Sequence, residues 1–466
     1  MSHIPVAILG GGISGLAAAY ELTLRNVPFQ LFEKSNRLGG MIRTETVDEF
    51  TVDTGPDSLL VQKPAAIQLV DELGLSDRLI ATERPRTAYV YRQGRLRPLP
   101  SSSVLGIPTQ LGGLVTNELL SWQGRARMLA DLAIAAKQNH SDESVADFFC
   151  RRFGHESVDY IAEPLLAGIH AGNVDKLSMQ ALFPRLVKAE RDYGSVIKGL
   201  RHLYSADASE RKRSGVFRSF SEGLETLTRE LVKTIPTSAI HTDIEITAMS
   251  GHTPLQLRQG TNPVATADEV ISTLPAHALG NLTATLSTEL SSLCNAIPYT
   301  SIAIIVLGFL REAVAHPLHG SGLVVPRTEP NMTISAATWI SSKWPQRAPH
   351  DHILLRAFVG GFRAPNAFTQ SDDELIAHAL TDFQQLLSTS GNPVLAKVYR
   401  WPAANPQPHV GHLNHIKNID RVLEDHPNLQ IVGAAFRGVG IPDCIASARD
   451  AARRAAERYL RRQQSS

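Results

Sequence analysis

Cysteine is scarce in this 466-residue chain, and its three copies, Cys150, Cys294 and Cys444, lie far apart with no CxxC pair. That spacing excludes a disulfide framework and suits a reducing, cytoplasmic compartment. No apolar run approaches the ~18–20 residues needed to cross a bilayer. The longest, residues 301–310, reads as a buried strand. Peripheral membrane contact stays open, although no extended basic amphipathic helix calls for it. The N-terminus has no basic segment leading into an apolar core, so no secretory signal is expected. Neither charge dominates. Lys+Arg 46 against Asp+Glu 45 leaves a formal +1, which removes the global electrostatic argument for nucleic-acid binding. Internal repeats and low-complexity segments are missing too. Hydrophobic residues make up 43% of the chain, enough for a sizeable core and against wholesale disorder. The length exceeds the ~250–300 residues at which a single core stops growing, so two or three interleaved lobes are expected.

What is present is α/β material at both ends with helical material between. A strand at residues 6–9 runs into a glycine cluster, an Ala/Leu-rich helix over about 14–25, and a second strand at 29–32. This is the ~30-residue strand–helix–strand unit that a parallel crossover needs. A helix over 65–73 is stopped by Gly74, a residue suited to a left-handed cap. Residues 89–110 are rich in turns. Helical spacing dominates 121–200, with breaks at Gly154, Pro164, Gly168 and Gly172. Further strands are expected at 240–249, 269–273, 301–310, 322–325, 353–358 and 431–434, with helices at 372–388 and 443–462. The last helix carries Arg449, Arg453, Arg454, Arg458, Arg461 and Arg462, which reads as a solvated face with cations toward the helix C-terminus.

The glycine cluster follows G-x-G-x-x-G at Gly10, Gly12 and Gly15, with Gly11, Ile13 and Ser14 between. The three glycines allow a tight turn, close backbone approach to a pyrophosphate, and close packing of helix on strand. The helix that opens there offers free amides and a positive dipole end to phosphates. Glu33 lies near the ~20-residue offset expected for a carboxylate on a ribose hydroxyl. The pattern follows a strand, opens a helix and has its acid, so it predicts dinucleotide binding. Beyond Glu33 and Lys34 come Arg37, Gly39, Gly40 and Met41, then Gly55, Pro56, Asp57 and Ser58. An arginine followed by two glycines suits a second backbone-rich contact with the pyrophosphate. At the far end, Phe436-Arg-Gly-Val-Gly-Ile-Pro-Asp443 opens the last helix, whose N-terminus would favour negative charge on a reduced ring.

The E-x(3)-R-x-G-G run from Glu33 resembles that of the amine-oxidase-like flavoproteins, which hold FAD. Gly55-Pro-Asp-Ser58 resembles the loop beside the isoalloxazine in that superfamily. The resemblance then narrows. Residues 433–444 are similar to the terminal signature of the porphyrinogen oxidases of haem biosynthesis. Gly106-Ile-Pro108, residues 163–172, Lys343-Trp-Pro345, residues 354–358, Arg400-Trp401 and His409-Val-Gly-His412 resemble the same family, in order and over nearly the whole chain. The soluble bacterial branch, the coproporphyrin-forming coproporphyrinogen III oxidases, resembles it most, and members of that branch can also oxidise protoporphyrinogen IX.

That resemblance implies an α/β fold: a Rossmann-type FAD-binding domain of the amine oxidase/GDI-like class, an α+β substrate lobe and an inserted helical domain. The FAD-binding parts would be 1–88, 206–285 and 401–466, the helical insertion 89–205 and the substrate domain 286–400. FAD contacts are implied at Gly10, Gly11, Gly12, Ile13, Ser14, Gly15, Glu33, Lys34, Arg37, Gly40 and the backbone of Met41. Others are implied at Gly55, Pro56, Asp57, Ser58, Ile246, Trp401, Val439, Gly440 and Ile441. The implied reaction is a six-electron oxidation in three two-electron steps: hydride leaves a meso bridge for the flavin, tautomerisation brings the other bridges to the same reactive position, and O2 reoxidises the flavin each time, releasing H2O2. It needs a shaped apolar slot rather than an acid–base triad, so no side-chain catalyst is nominated. The product would pass to the next haem-pathway enzyme. Four propionates call for cations, with Lys63 first and Arg97 and Arg437 after it, and Val324 and Phe358 as apolar lining.

Other readings remain open. These are protoporphyrinogen IX oxidation as the sole role, a flavin amine oxidase, a carotenoid-desaturase-like enzyme and a GDI-like prenyl-binding chaperone without flavin. Against amine oxidation, the strand at 301–310 lacks the lysine typical of that group. His409, His412 and His415 have three-residue spacing, but Pro408 and Gly411 interrupt a regular helix and no Cys or carboxylate completes the set, so no metal site is expected.

Overall fold

The computed structural model describes residues 2–100, 103–110, 112, 118–139, 141–204 and 215–465. Two seven-stranded sheets organise it. The first has a parallel core in the order Ile240–His241, Phe29–Phe32, Ser2–Leu9, Asn262–Ser272 and Leu429–Ile431. Its central strand is apolar from Val6 to Leu9 because both faces are buried, as parallel sheets require. Asn262–Ser272 forks. Its first half pairs antiparallel with Leu255–Gln259 and its second half with Leu429–Ile431.

Two helices cover one face of this sheet. The glycine-initiated helix Ile13–Leu24 and the terminal helix Ile441–Ser465 share a core through Ala17 and Ala18 of the first and Ala448, Ala451, Ala452 and Ala455 of the second. Alanines on both sides let the backbones approach closely. Helices Ala276–Leu282, Thr288–Asn295 and His412–Leu423 cover the other face.

The second sheet runs Leu395–Pro406, Tyr299–Leu310, His352–Gly360, Ala336–Trp339, Gly322–Val324, Ala88–Arg92 and Arg95–Pro98. Helix Asp372–Leu387 packs on one face through Leu375, Ala379 and Phe383. The helical insertion stands beside it, its own helices tied together by the fully buried Arg152–Asp131 pair.

Three expectations need correction. The single strand over 240–249 is two short ones, because residues 242–247 leave the sheet: Asp243 turns at φ 59° and Ile244 N–H reaches Glu33 O. The boundary at 400/401 falls inside the strand Leu395–Pro406, which stays with the second sheet to its end through pairs such as Trp401 with Ile302. The boundary at 205/206 lies outside the described residues.

The arginine row of the terminal helix, in turn, is largely not a solvated face. Arg449 and Arg453 grip the buried Glu21, Arg449 also meets Glu72, and Arg458 and Arg462 converge on the buried Glu269. Burial works against the Glu21 charge, but hydrogen bonds from Arg453, Arg25 and Arg449 outweigh it and hold that carboxyl at about 2. Glu21→Gln should therefore cost about 3 kcal/mol at neutral pH, the low end of the range for breaking a buried pair because Arg25 and Arg453 are partly exposed. A lowered folded-state pKa contributes stability above the unfolded carboxyl value and loses it as pH falls through the folded one. Urea unfolding of both proteins should show the gap shrinking between pH 5 and pH 2; a gap constant across that range would contradict the assignment.

Candidate cofactor and substrate site

The glycine loop is built for close approach. Gly10 has φ +101°, and a Cβ on Gly15 would stand 1.8 Å from Gly10 O, so only glycine lets the helix sit this tightly on its strand. Gly12 differs: its φ is −73°, and a Cβ there would meet only Gly40 Cα at 3.8 Å. The helix has no side-chain cap, which leaves the first-turn amides of Ile13, Ser14 and Gly15 available to an anion. A second glycine loop backs the first, with Gly39 N–H donating to Gly11 O at 2.8 Å. Arg37 shapes that loop by donating to Leu38 O and Gly40 O. Glu33 is oriented by Gly11 N–H at 2.7 Å on one oxygen and by Ser35 on the other. Lys34 is exposed beside it. This open cradle, with its acid to one side, fits the pyrophosphate and ribose of FAD.

The 55–58 loop is held differently from what its sequence suggests. Asp57 is buried and does not offer its side chain outward. It accepts from Lys343 Nζ at 2.8 and 3.0 Å and faces Arg356 at 3.3 Å, with Ser58 Oγ also donating to it. Burial opposes its ionisation, but Lys343 and Arg356 hold the carboxyl well below the usual range. Arg356 also donates to the carbonyls of Asp53 and Gly55, and Arg347 pairs with Asp53 at 2.6 Å. A Cβ on Gly55 would lie 2.1 Å from Met41 O, so the loop packs directly on the backbone of the half-exposed Met41. Pro56 stands between these anchors. Trp401 packs against the core cluster of Phe50, Ile304 and Trp344 while its indole N–H donates to Thr54 O at 2.6 Å.

The remaining residues expected at the cofactor divide in two. Ile246 is buried with Phe32 beneath the sheet end next to Glu33. Val439, Gly440 and Ile441 form the turn into the terminal helix, where Gly440 N–H points at Asp443. Lys63 precedes helix Pro64–Glu72 without a capping hydrogen bond and pairs with Asp443, tying the start of that helix to the terminal helix. Cys444 lies against Ser14, and burial pushes its thiol up to about 11.

Register alignment across the second sheet brings three expected substrate residues together. Arg97, Val90, Val324, Ala336, Phe358, Ile304 and Tyr399 are successive partners in one transverse row, and directly opposed residues share a face. Arg356 lies two residues from Phe358 on the same face, its guanidinium 5.0 Å from the Phe358 ring. Helix Glu163–His170 stands over the row, with Gly168 so close to Ala336 and Val324 that a Cβ would be at 3.3–3.4 Å. Beside that contact Ile169 is 59% exposed, a large apolar side chain left open above an apolar wall. Lys63 and Arg437 are not part of this row; Arg437 pairs with Asp420 on helix His412–Leu423. Sequence reasoning missed Lys343, Arg347 and Arg356 as the holders of the 55–58 loop, although Lys343 and Arg356 belong to runs singled out by resemblance.

Because Gly12 has ordinary φ and free space, Gly12→Val should fold normally yet lose FAD affinity by at least about a hundredfold, ~2.7 kcal/mol. Gly15→Ala, which collides with backbone, should lose fold stability as well. Apoprotein unfolding and FAD titration by fluorescence separate the two; full FAD retention in folded Gly12→Val would refute the cradle.

The chain matches the family described as flavin containing amine oxidoreductase over residues 13–456. It is 36% identical over 451 residues to the coproporphyrinogen III oxidase of Bacillus subtilis (strain 168), covering 94% of this chain and 95% of that protein. The coproporphyrinogen III oxidase of Staphylococcus aureus is 31% identical, covering 96% and 98%. A crystal structure described as a protoporphyrinogen oxidase from Exiguobacterium sp. 255-15 superposes with TM-score 0.86 at 30% identity, covering 98% of this chain and all of the other. With its paired glycine loops and its full-length likeness to these enzymes, the chain belongs to the flavin-containing amine oxidoreductase family, in the branch of the coproporphyrinogen III oxidases.

Proposed function

We propose that the protein catalyses the six-electron, FAD-dependent oxidation of coproporphyrinogen III to coproporphyrin III. The observation that carries this reading is the row of Val324, Ala336, Phe358 and Ile304. It forms an apolar wall with Arg97 at one end and with Trp401, which holds the 54–55 backbone, one row away toward the other. Such a wall suits a flat macrocycle, and a cation at its edge suits a propionate. FAD, when bound, supplies the hydride acceptor, with O2 as the terminal oxidant and H2O2 released. The chain's own task is orientation. The wall and Ile169 exclude water and hold a meso bridge in place for each of three hydride losses; one proton leaves with each hydride, and tautomerisation between meso carbons and pyrrole nitrogens makes the net loss four meso hydrogens and two pyrrole N–H hydrogens. Protoporphyrinogen IX fits the same wall with two propionates instead of four, and the structural neighbour carries that substrate in its description; the two more similar curated relatives favour coproporphyrinogen.

Against amine oxidation, strand Tyr299–Leu310 contains no lysine. Among the described residues, no helix is long and apolar enough to cross a membrane. A cytoplasmic setting, peripheral membrane contact and hand-over to the following haem-pathway enzyme are further parts of this reading. Of the expected cations, Arg97 alone stands at the end of the apolar row, where it pairs with Glu118, whereas Lys63 and Arg437 pair with Asp443 and Asp420 away from the row.

Anaerobic mixing tests the proposal. Coproporphyrinogen III should bleach the flavin band near ~450 nm, and air should return it with coproporphyrin as product. Bleaching by a primary amine but by neither porphyrinogen would overturn the reading. Arg97→Ala should lower kcat/KM for coproporphyrinogen by about 5–30-fold, the value of a charge-assisted contact; unchanged kinetics at low salt would remove Arg97 from the site.

A further inference from the structure

Three cations and two carboxylates are sealed together beneath the 55–58 loop: Lys343, Arg347 and Arg356 with Asp53 and Asp57. Asp57 and Arg356 each keep under a tenth of their side-chain surface exposed, and Lys343 keeps 11%. The cluster therefore carries a net charge of +1 in a region where water screens little. It is also continuous at both ends. On one side Arg356 donates to the Asp53 and Gly55 carbonyls at 3.2 and 2.9 Å. On the other its guanidinium stands over Phe358 on the apolar wall. Nothing in a hydride transfer to flavin uses these side chains directly, and an apolar core would bury the same volume without desolvating five charges.

We propose that Asp57, Lys343 and Arg356 are positioning residues that hold the 55–58 loop against the flavin ring and, through the cluster's net positive charge, set the flavin's reduction potential. The inference rests on the FAD reading of the glycine cradle and on the placement of the 55–58 loop beside the ring. Two-electron reduction adds negative charge to the ring, and a buried cation excess beside it favours the reduced form. Removing a cation and removing an anion must then act in opposite directions, which a purely structural clamp would not do.

The test is the flavin midpoint potential of the holoprotein, measured by anaerobic titration against a reference dye. Lys343→Met takes the cluster to zero and should make the flavin harder to reduce. Asp57→Asn takes it to +2 and should make it easier. Each change should correspond to about tenfold in the two-electron equilibrium, about 30 mV. The double variant restores +1 and should return the potential close to the parent's, while unfolding of its apoprotein still reports the lost ties. Lys343→Arg keeps the charge and should keep the potential. Should Asp57→Asn fail to fold, the Lys343→Met and Lys343→Arg pair decides alone: a drop in the first and none in the second supports the proposal, and equal potentials overturn it. Shifts of the same sign in Lys343→Met and Asp57→Asn also overturn it. A parent protein that holds FAD but ignores porphyrinogens would defeat the proposed function and leave these potentials as a valid test of the cluster.

Discussion

The burial of Asp57 is the constraint around which the site is arranged. A lone carboxylate cannot leave water without several kcal/mol of penalty, so Asp57 fixes where Lys343 and Arg356 must be. Those residues come from the second sheet and from the short helix Ile340–Lys343 between two of its strands, whereas Asp57 lies near the start of the chain, shortly after the two glycine loops. The ion pairs therefore bind the cofactor loop to the substrate sheet more firmly than apolar packing alone would specify. Arg347 with Asp53 repeats the device four residues away on each side, and its Nη2 donates to Ser219 Oγ and Phe220 O.

Each sheet then contributes one half of the chemistry. The parallel sheet ends in a backbone surface, the paired glycine loops, whose donors and open space suit phosphates. The mixed sheet presents side chains, an apolar row ending in Arg97. Helix Glu163–His170 from the insertion closes over the row, and its approach depends on Gly168 lacking a side chain. Oxidation of a large, already reactive tetrapyrrole asks for this division: a cradle for the acceptor and a wall for the donor, with no acid–base pair between them.

Local chemistry was legible in the sequence, and long-range pairing was not. Gly10 and Gly15 announce themselves because turn geometry and helix packing allow few other residues there, and Gly12 and Glu33 because a bound dinucleotide needs open backbone and a carboxylate at that spacing. The apolar row at Val324 and Phe358 was reached only through resemblance, since its alignment depends on register between strands that are not neighbours in the chain. Lys343 is 286 residues from Asp57, and no spacing rule links them. The strand Leu395–Pro406 stayed hidden because Pro402 breaks its pattern, and an edge strand tolerates the missing donor. The terminal arginines misled for the same reason as Asp57: their partners, Glu21 and Glu269, lie far away in the chain and are buried.

Amide hydrogen exchange of the apoprotein tests most directly whether the ion-pair cluster holds the cofactor loop in place. The amides of Thr54, Gly55, Asp57 and Ser58 should be protected before FAD is added, and Asp57→Asn should strip that protection while the core strands Ser2–Leu9 and Tyr299–Leu310 keep theirs. Equal protection of 54–58 in the two apoproteins would show that packing alone holds the loop and would contradict the account.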